Sequence, residues 1–135
     1  MRQLPIMDTL PVLVVDDQAP FRSAAKAVVS RMDGFAIVGE ATDGEEAVAM
    51  AAELHPALVL MDINMPGMNG VEATRRIVAS EPDTVVILCS TYTPQDLPPG
   101  ASTSGALAYV NKEEFGPSEL ERIWTERETI EFLPS

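Results

Sequence analysis

Apolar residues in this chain follow two rhythms that alternate along its length: short unbroken runs stopped by polar clusters, and longer stretches with apolar positions three and four apart. The first rhythm describes strands buried on both faces, the second amphipathic helices packed upon them. Val12-Leu13-Val14-Val15, bounded by Pro11 and by Asp16-Asp17, predicts the first strand. Phe21, Ala24, Ala25, Val28, Val29 and Met32 then fall at helical spacing, with Pro20 in the first turn and Gly34 at the close. Phe35–Glu40 predicts a second strand, weakened by Gly39. Asp43 and Glu46 form a capping box ahead of Ala47, Val48, Ala51 and Leu54, a helix that runs to about His55-Pro56.

The same alternation continues. Ala57–Asp62 is a nearly unbroken apolar run that ends on a carboxylate and stops at Asn64-Met65-Pro66-Gly67. Gly70 opens a helix carrying Val71, Thr74, Ile77 and Val78 on one face, ended by Glu81-Pro82. Thr84–Cys89 predicts the fourth strand and delivers Ser90 and Thr91 to its end. In Thr93–Gly100 three prolines and a glycine oppose the helix expected there, so a short or irregular crossover is predicted. Leu107–Asn111 is the fifth strand, followed by Lys112, and Pro117 starts a last helix with Leu120, Ile123, Trp124 and Arg127 on one side. Residues 130–135 carry no clear signal. Five strand-helix alternations with right-handed crossovers give an α/β fold, a parallel five-stranded sheet between helical layers.

At 135 residues the chain makes one domain, with a core over about residues 11–128 and tails at 1–9 and 130–135. Twenty-one acidic against nine basic residues give a net charge of −12, which repels phosphate backbones and anionic lipid headgroups, so no direct nucleic-acid or membrane binding is expected. The single cysteine, Cys89, has no internal partner, and Met1–Pro5 lacks the apolar core of a signal peptide. A cytoplasmic protein is the expectation.

Asp16, Asp17, Asp62, Ser90 or Thr91, and Lys112 all lie at or just past strand ends, so a parallel sheet gathers them at one edge. Converging carboxylates repel one another unless a cation sits among them, and Mg²⁺ takes oxygen ligands of this kind. Carboxylates, a hydroxyl and an amine suit phosphoryl transfer, with one aspartate as nucleophile.

These residues resemble the receiver domain of two-component response regulators, over roughly Pro11–Trp124. The resemblance rests on the acidic pair Asp16-Asp17, on the run from Asp62 through Asn64-Met65-Pro66-Gly67 to Gly70, on Ser90, and on Tyr109-Val110-Asn111-Lys112. In motif style it is closest to receivers of LuxR/NarL-type regulators. The resemblance implies a flavodoxin-like doubly wound (βα)5 fold with strand order 2-1-3-4-5. It implies that Asp62 accepts a phosphoryl group from a histidine kinase or phosphotransfer protein. Asp17, Asp62 and the backbone carbonyl of Asn64 would hold Mg²⁺ or Mn²⁺, with Asp16 acting mainly through water. Ser90, with Thr91 as the alternative, would contact the phosphoryl oxygens, Lys112 would pair with them, and Tyr109 would be a switch aromatic. Homodimerisation is possible on the same grounds, and the downstream protein target is not specified.

Two departures stand out. Glu113 follows Lys112 where relatives often have proline, and the proline-rich segment 93–100 stands where they have a fourth helix. Only 23 residues follow Lys112, too few for a helix-turn-helix domain, so a module without its own output domain is expected, with a piece of a longer transcription factor as the alternative. It is expected to catalyse nothing beyond its own phosphorylation and dephosphorylation. Two other classes compete: a metal-dependent phosphohydrolase with an aspartyl-phosphate intermediate, and a degenerate receiver used as a constitutive binding module. Among the remaining residues, Met61, Met65 and Met68 read as packing residues, His55 as a surface helix cap, Cys89 as inert core and Trp124 as a core anchor.

Overall fold

The computed structural model describes residues 9–129 and 133–134. Its elements are β1 (Leu10–Val15), α1 (Ala19–Ser30), β2 (Phe35–Ala41), α2 (Gly44–Leu54), β3 (Leu58–Asp62), α3 (Gly70–Ser80), β4 (Val85–Ser90), β5 (Ala108–Asn111), α4 (Pro117–Thr125) and β6 (Leu133–Pro134), with 3₁₀ turns at Pro94–Asp96 and Lys112–Glu114. All pairings are parallel, in the order β2-β1-β3-β4-β5-β6. The five strands expected from sequence thus stand in the order 2-1-3-4-5. The sixth, two residues long, pairs Leu133 with Ala108 and Pro134 with Tyr109, and Pro is tolerated there because the strand lies at the edge. The sequence readings of residues 1–8, 130–132 and 135 fall outside the described residues.

Strand alternation divides the core into two layers. Leu13, Val59, Met61, Val86, Leu88 and Tyr109 face Ala47 and Ala51 of α2 and Val71 and Ile77 of α3. Val12, Val14, Leu60, Ile87, Cys89 and Val110 face Ala25 and Val29 of α1 and Leu120 and Ile123 of α4. Each fully buried aliphatic side chain contributes on the order of 1.5–3 kcal/mol, which is why β1, β3 and β4 carry no polar residue until they reach their carboxyl ends. Met61 and Met65 lie in the first layer with Met68 packed at its margin, and Cys89 is fully buried, its thiol pushed up by burial.

Gly39, which weakens β2 as a strand, has a packing reason. A Cβ there would lie 2.6 Å from Met50 Cε and 3.0 Å from Leu54 Cδ1, so glycine lets α2 approach the sheet. The register slips beside it, with Val12 opposite Ile37 but Leu13 opposite Gly39, and the extra residue, Val38, points to solvent as a bulge residue does.

The crossover from β4 to β5 contains no α-helix. After the 3₁₀ turn, Gly100 and Gly105 take left-handed conformations at φ 86° and 99°, and the loop buries Ala101, Ser104 and Ala106 in place of a helix face. α4 differs from expectation in detail. It ends at Thr125, its buried anchors are Leu120 and Ile123, and Trp124 is only half-buried, its ring edge-on to Phe35 at 5.3 Å and covered by the Arg127 guanidinium at 4.2 Å. No helix among the described residues is long and apolar enough to cross a membrane.

Candidate functional site

Asp62 and Ser90 are the last residues of β3 and β4, and Asp16 and Lys112 immediately follow β1 and β5. The backbone behind them is tightly determined. Gly70 N–H donates to the Ile63 carbonyl at 2.8 Å, bringing the start of α3 so close that a Cβ on Gly70 would stand 1.9 Å from the Asp62 carbonyl oxygen. Only glycine fits that approach. Asn69 caps α3 by accepting from Glu72 N–H at 3.0 Å. On the other side Asp16 Oδ1 accepts from Gln18 N–H at 2.8 Å, and Arg22 donates to the Asp16 carbonyl at 2.8 Å while pairing with Glu40 of β2 at 3.1 Å.

The carboxylates of Asp16, Asp17 and Asp62 each offer an oxygen, all within 4.8 Å of one another. Asp16 and Asp62 are buried and Asp17 is exposed. Lys112 Nζ stands 2.7 Å from Asp16 Oδ2 and 3.5 Å from Asp62 Oδ1. Lys112 is the one partner of the buried Asp16 Oδ2 among the described residues. Burial, reinforced by the charge of Asp16, pushes the Asp62 pKa up to about 6, against the pull of Lys112 and of the Ile63 N–H that donates to Oδ1 at 2.9 Å. Burial acts to lower the Lys112 pKa, but contact with Asp16 and the charge of Asp62 outweigh it and hold the ammonium above its ordinary value.

Of the two candidate hydroxyls, Ser90 is buried and paired in register with Asn111, whereas Thr91 is exposed. Tyr109 is fully buried, and its hydroxyl donates to the Tyr92 carbonyl. The Asn111 side-chain amide donates to that same carbonyl at 3.0 Å. The Tyr92 phenol in turn exchanges hydrogen bonds with the Asn64 side chain at 2.9 and 3.1 Å. Tyr92 therefore ties the β3 rim to β5. Sequence reasoning missed it, although a lone aromatic two residues past the candidate hydroxyl, inside a polar and proline-rich stretch, was a usable signal. Arg22 was missed as well. Glu113, where relatives often carry proline, uses its N–H to donate to Asn111 Oδ1 at 2.8 Å, a bond proline cannot make, and this fixes the 3₁₀ turn that carries Lys112. His55 caps α2 in a left-handed conformation at φ 47° and pairs with Glu81 at 2.9 Å, far from these groups in the fold.

Three carboxylates facing one ammonium leave excess negative charge at this rim. Hard oxygen donors in this number suit a small divalent cation that keeps part of its water shell. The cluster is thus able to hold a metal ion.

The sequence matches the response regulator receiver domain profile over residues 12–124. The chain belongs to the response regulator receiver family. This receiver is 40% identical over 101 residues to response regulator GacA of Pseudomonas protegens, covering 75% of the chain and 47% of GacA. It is 39% identical over 109 residues to chemotaxis protein CheY of Thermotoga maritima, covering 81% of the chain and 89% of CheY. The chain therefore spans about half the length of the GacA relative. Among solved structures, the response regulator domain of Thermotoga maritima CheB is similar at a TM-score of 0.77 and 32% identity, covering 90% of this receiver and 98% of that chain. A LuxR-family response regulator from an Aurantimonas species gives 0.80 at 29% identity, covering 93% and 90%.

Proposed function

We propose that this receiver takes a phosphoryl group onto Asp62 from the phosphohistidine of a histidine kinase or phosphotransfer protein, and signals to a protein partner through the resulting change of conformation. The observation that carries the reading is the position of Asp62: a buried carboxylate at a strand end, one oxygen grouped with those of Asp16 and Asp17, its Oδ1 3.5 Å from the Lys112 ammonium. An Asp62 carboxylate oxygen attacks phosphorus, the P–O bond forms as the P–N bond to the donor breaks, and the electron pair leaves with the histidine nitrogen. Ionised Asp62 is the nucleophile, and with a pKa of about 6 it is mostly in that form at neutral pH. Lys112 supplies positive charge to the incoming phosphoryl oxygens, and buried Ser90, in preference to exposed Thr91, supplies a hydroxyl to one of them. Asp17, Asp62 and the Asn64 carbonyl would hold Mg²⁺ or Mn²⁺, with Asp16 contributing through water. Such an ion neutralises charge on the transferring group.

Family membership favours this reading over an external phosphohydrolase or a constitutive binding module. Incubation with acetyl phosphate and intact-mass measurement tests it. One phosphoryl group should be gained with Mg²⁺ and none in EDTA, and Asp62→Asn should abolish the gain. An undiminished gain in Asp62→Asn moves the acceptor to another residue.

A further inference from the structure

We infer that Phe21, on α1, is a positioning residue for Lys112, holding the ammonium on its ring face so that it remains directed at the carboxylates of the site. The inference rests on the proposed phosphoryl transfer and adds to it a residue with no polar chemistry. Lys112 Nζ lies 4.5 Å from the Phe21 ring centroid while also contacting Asp16 and Asp62. The ammonium is thus enclosed by two carboxylates and one aromatic face, and the Lys112 side chain is only 14% exposed. The ring is itself held in place: Phe115 meets it edge-on, with centroids 5.1 Å apart and planes at 60°. Phe115 follows the 3₁₀ turn that begins at Lys112, and its N–H donates to the Lys112 carbonyl.

Sequence separation makes the arrangement informative. Phe21 belongs to the apolar stripe of α1 and by periodicity is an ordinary core residue. A leucine would serve that purpose. What leucine lacks is a negative π face, and a desolvated cation–π contact is among the stronger forms of that interaction. A flexible four-carbon side chain has many rotamers in which the ammonium does not face the site. The ring disfavours them without adding a charge or hydrogen-bond acceptor that would compete with the phosphoryl group for the lysine.

Two measurements test the inference. The first is NMR of wild type with selectively labelled lysine: the Lys112 ε-methylene protons should be shifted upfield by the ring, return to the ordinary lysine position in Phe21→Leu, and stay upfield in Phe21→Tyr. The second is the rate of Mg²⁺-dependent phosphorylation by acetyl phosphate, expected to fall about tenfold in Phe21→Leu and to be largely retained in Phe21→Tyr; tenfold corresponds to about 1.4 kcal/mol. If wild type gains no phosphoryl group, the proposed function fails. If wild type is phosphorylated but Phe21→Leu reacts at the wild-type rate, the positioning role is overturned. An ordinary Lys112 shift in the wild type also overturns it, and this readout stands even if Phe21→Leu does not fold.

Discussion

Replacing Asp62 by asparagine keeps the side chain's shape and removes its charge, which isolates the energetic cost of ionising this position. Burial and the neighbouring Asp16 raise the Asp62 pKa from 3.8 to about 6, a displacement of about two units, or about 3 kcal/mol at 1.36 kcal/mol per unit. Because the folded pKa lies above the unfolded one, the native state binds more protons between those values, and stability falls as pH rises from about 4 to about 6. Above that window the metal-free wild type carries the full penalty, and Asp62→Asn does not. Urea unfolding in EDTA should therefore find the variant more stable by up to about 3 kcal/mol at about pH 7.5, roughly 10 °C in melting temperature for a domain of this size. The difference should shrink toward zero at about pH 4. Added Mg²⁺ should stabilise the wild type by mass action and close part of the gap, with less effect on the variant. A gap that does not change with pH, or a variant less stable than wild type at about pH 7.5, would refute the reasoning. A less stable variant would mean that the Lys112 contact at 3.5 Å outweighs burial, and a pH-independent gap that the two cancel.

Asp17→Asn removes an exposed carboxylate, so the unfolding free energy should change by less than about 0.5 kcal/mol, while Mg²⁺ affinity measured by calorimetry falls at least about tenfold. Gly70→Ala forces a Cβ against the Asp62 carbonyl; denaturant unfolding should show a loss of about 2 kcal/mol or more, and the proposed phosphorylation should slow because the Asp62 backbone is displaced. Tyr109→Phe removes the hydroxyl that donates to the Tyr92 carbonyl and should cost about 1 kcal/mol by the same assay, a modest loss because Asn111 still donates to that oxygen.

The strands that carry the site were readable because both faces of β1, β3 and β4 are covered, leaving each as an apolar run that ends where its charge or hydroxyl begins. Parallel topology then brought Asp16, Asp62 and Lys112 together without any local signal linking them. Three things were not readable, each for a different reason. β6 is two residues long and pairs through its backbone, which leaves no periodicity. The prolines of segment 93–100 excluded a helix but did not say that Ala101 and Ala106 would fill the space it leaves. Phe21, Arg22 and Tyr92 act through contacts 17 to 91 residues away, or through a main-chain carbonyl, and local patterning assigns such residues only to a helix face or a loop.

Tyr92 is where the end of β3 at Asp62 and strand β5 become mechanically linked. Its carbonyl accepts from both Tyr109 and Asn111 on β5, and its phenol is bonded to Asn64, two residues beyond Asp62. Under the proposed phosphorylation, any movement of the β4 end that withdraws Tyr92 must break these contacts together. At about 1 kcal/mol net for each hydrogen bond, the four of them oppose the change by about 4 kcal/mol. A gap of that size leaves the alternative conformer at roughly 0.1 per cent of the unmodified population, at the lower end of the range from which a ligand or modification can draw a switch. A weaker tie would leave the unmodified receiver partly active, whereas a much stronger one would exceed what a few new contacts to a phosphoryl group supply. Tyr92→Ala, which keeps the carbonyl and removes both bonds to Asn64, should therefore raise the population of the minor conformer by about an order of magnitude or more in relaxation-dispersion NMR, and an unchanged population would mean that the phenol takes no part in holding the resting state.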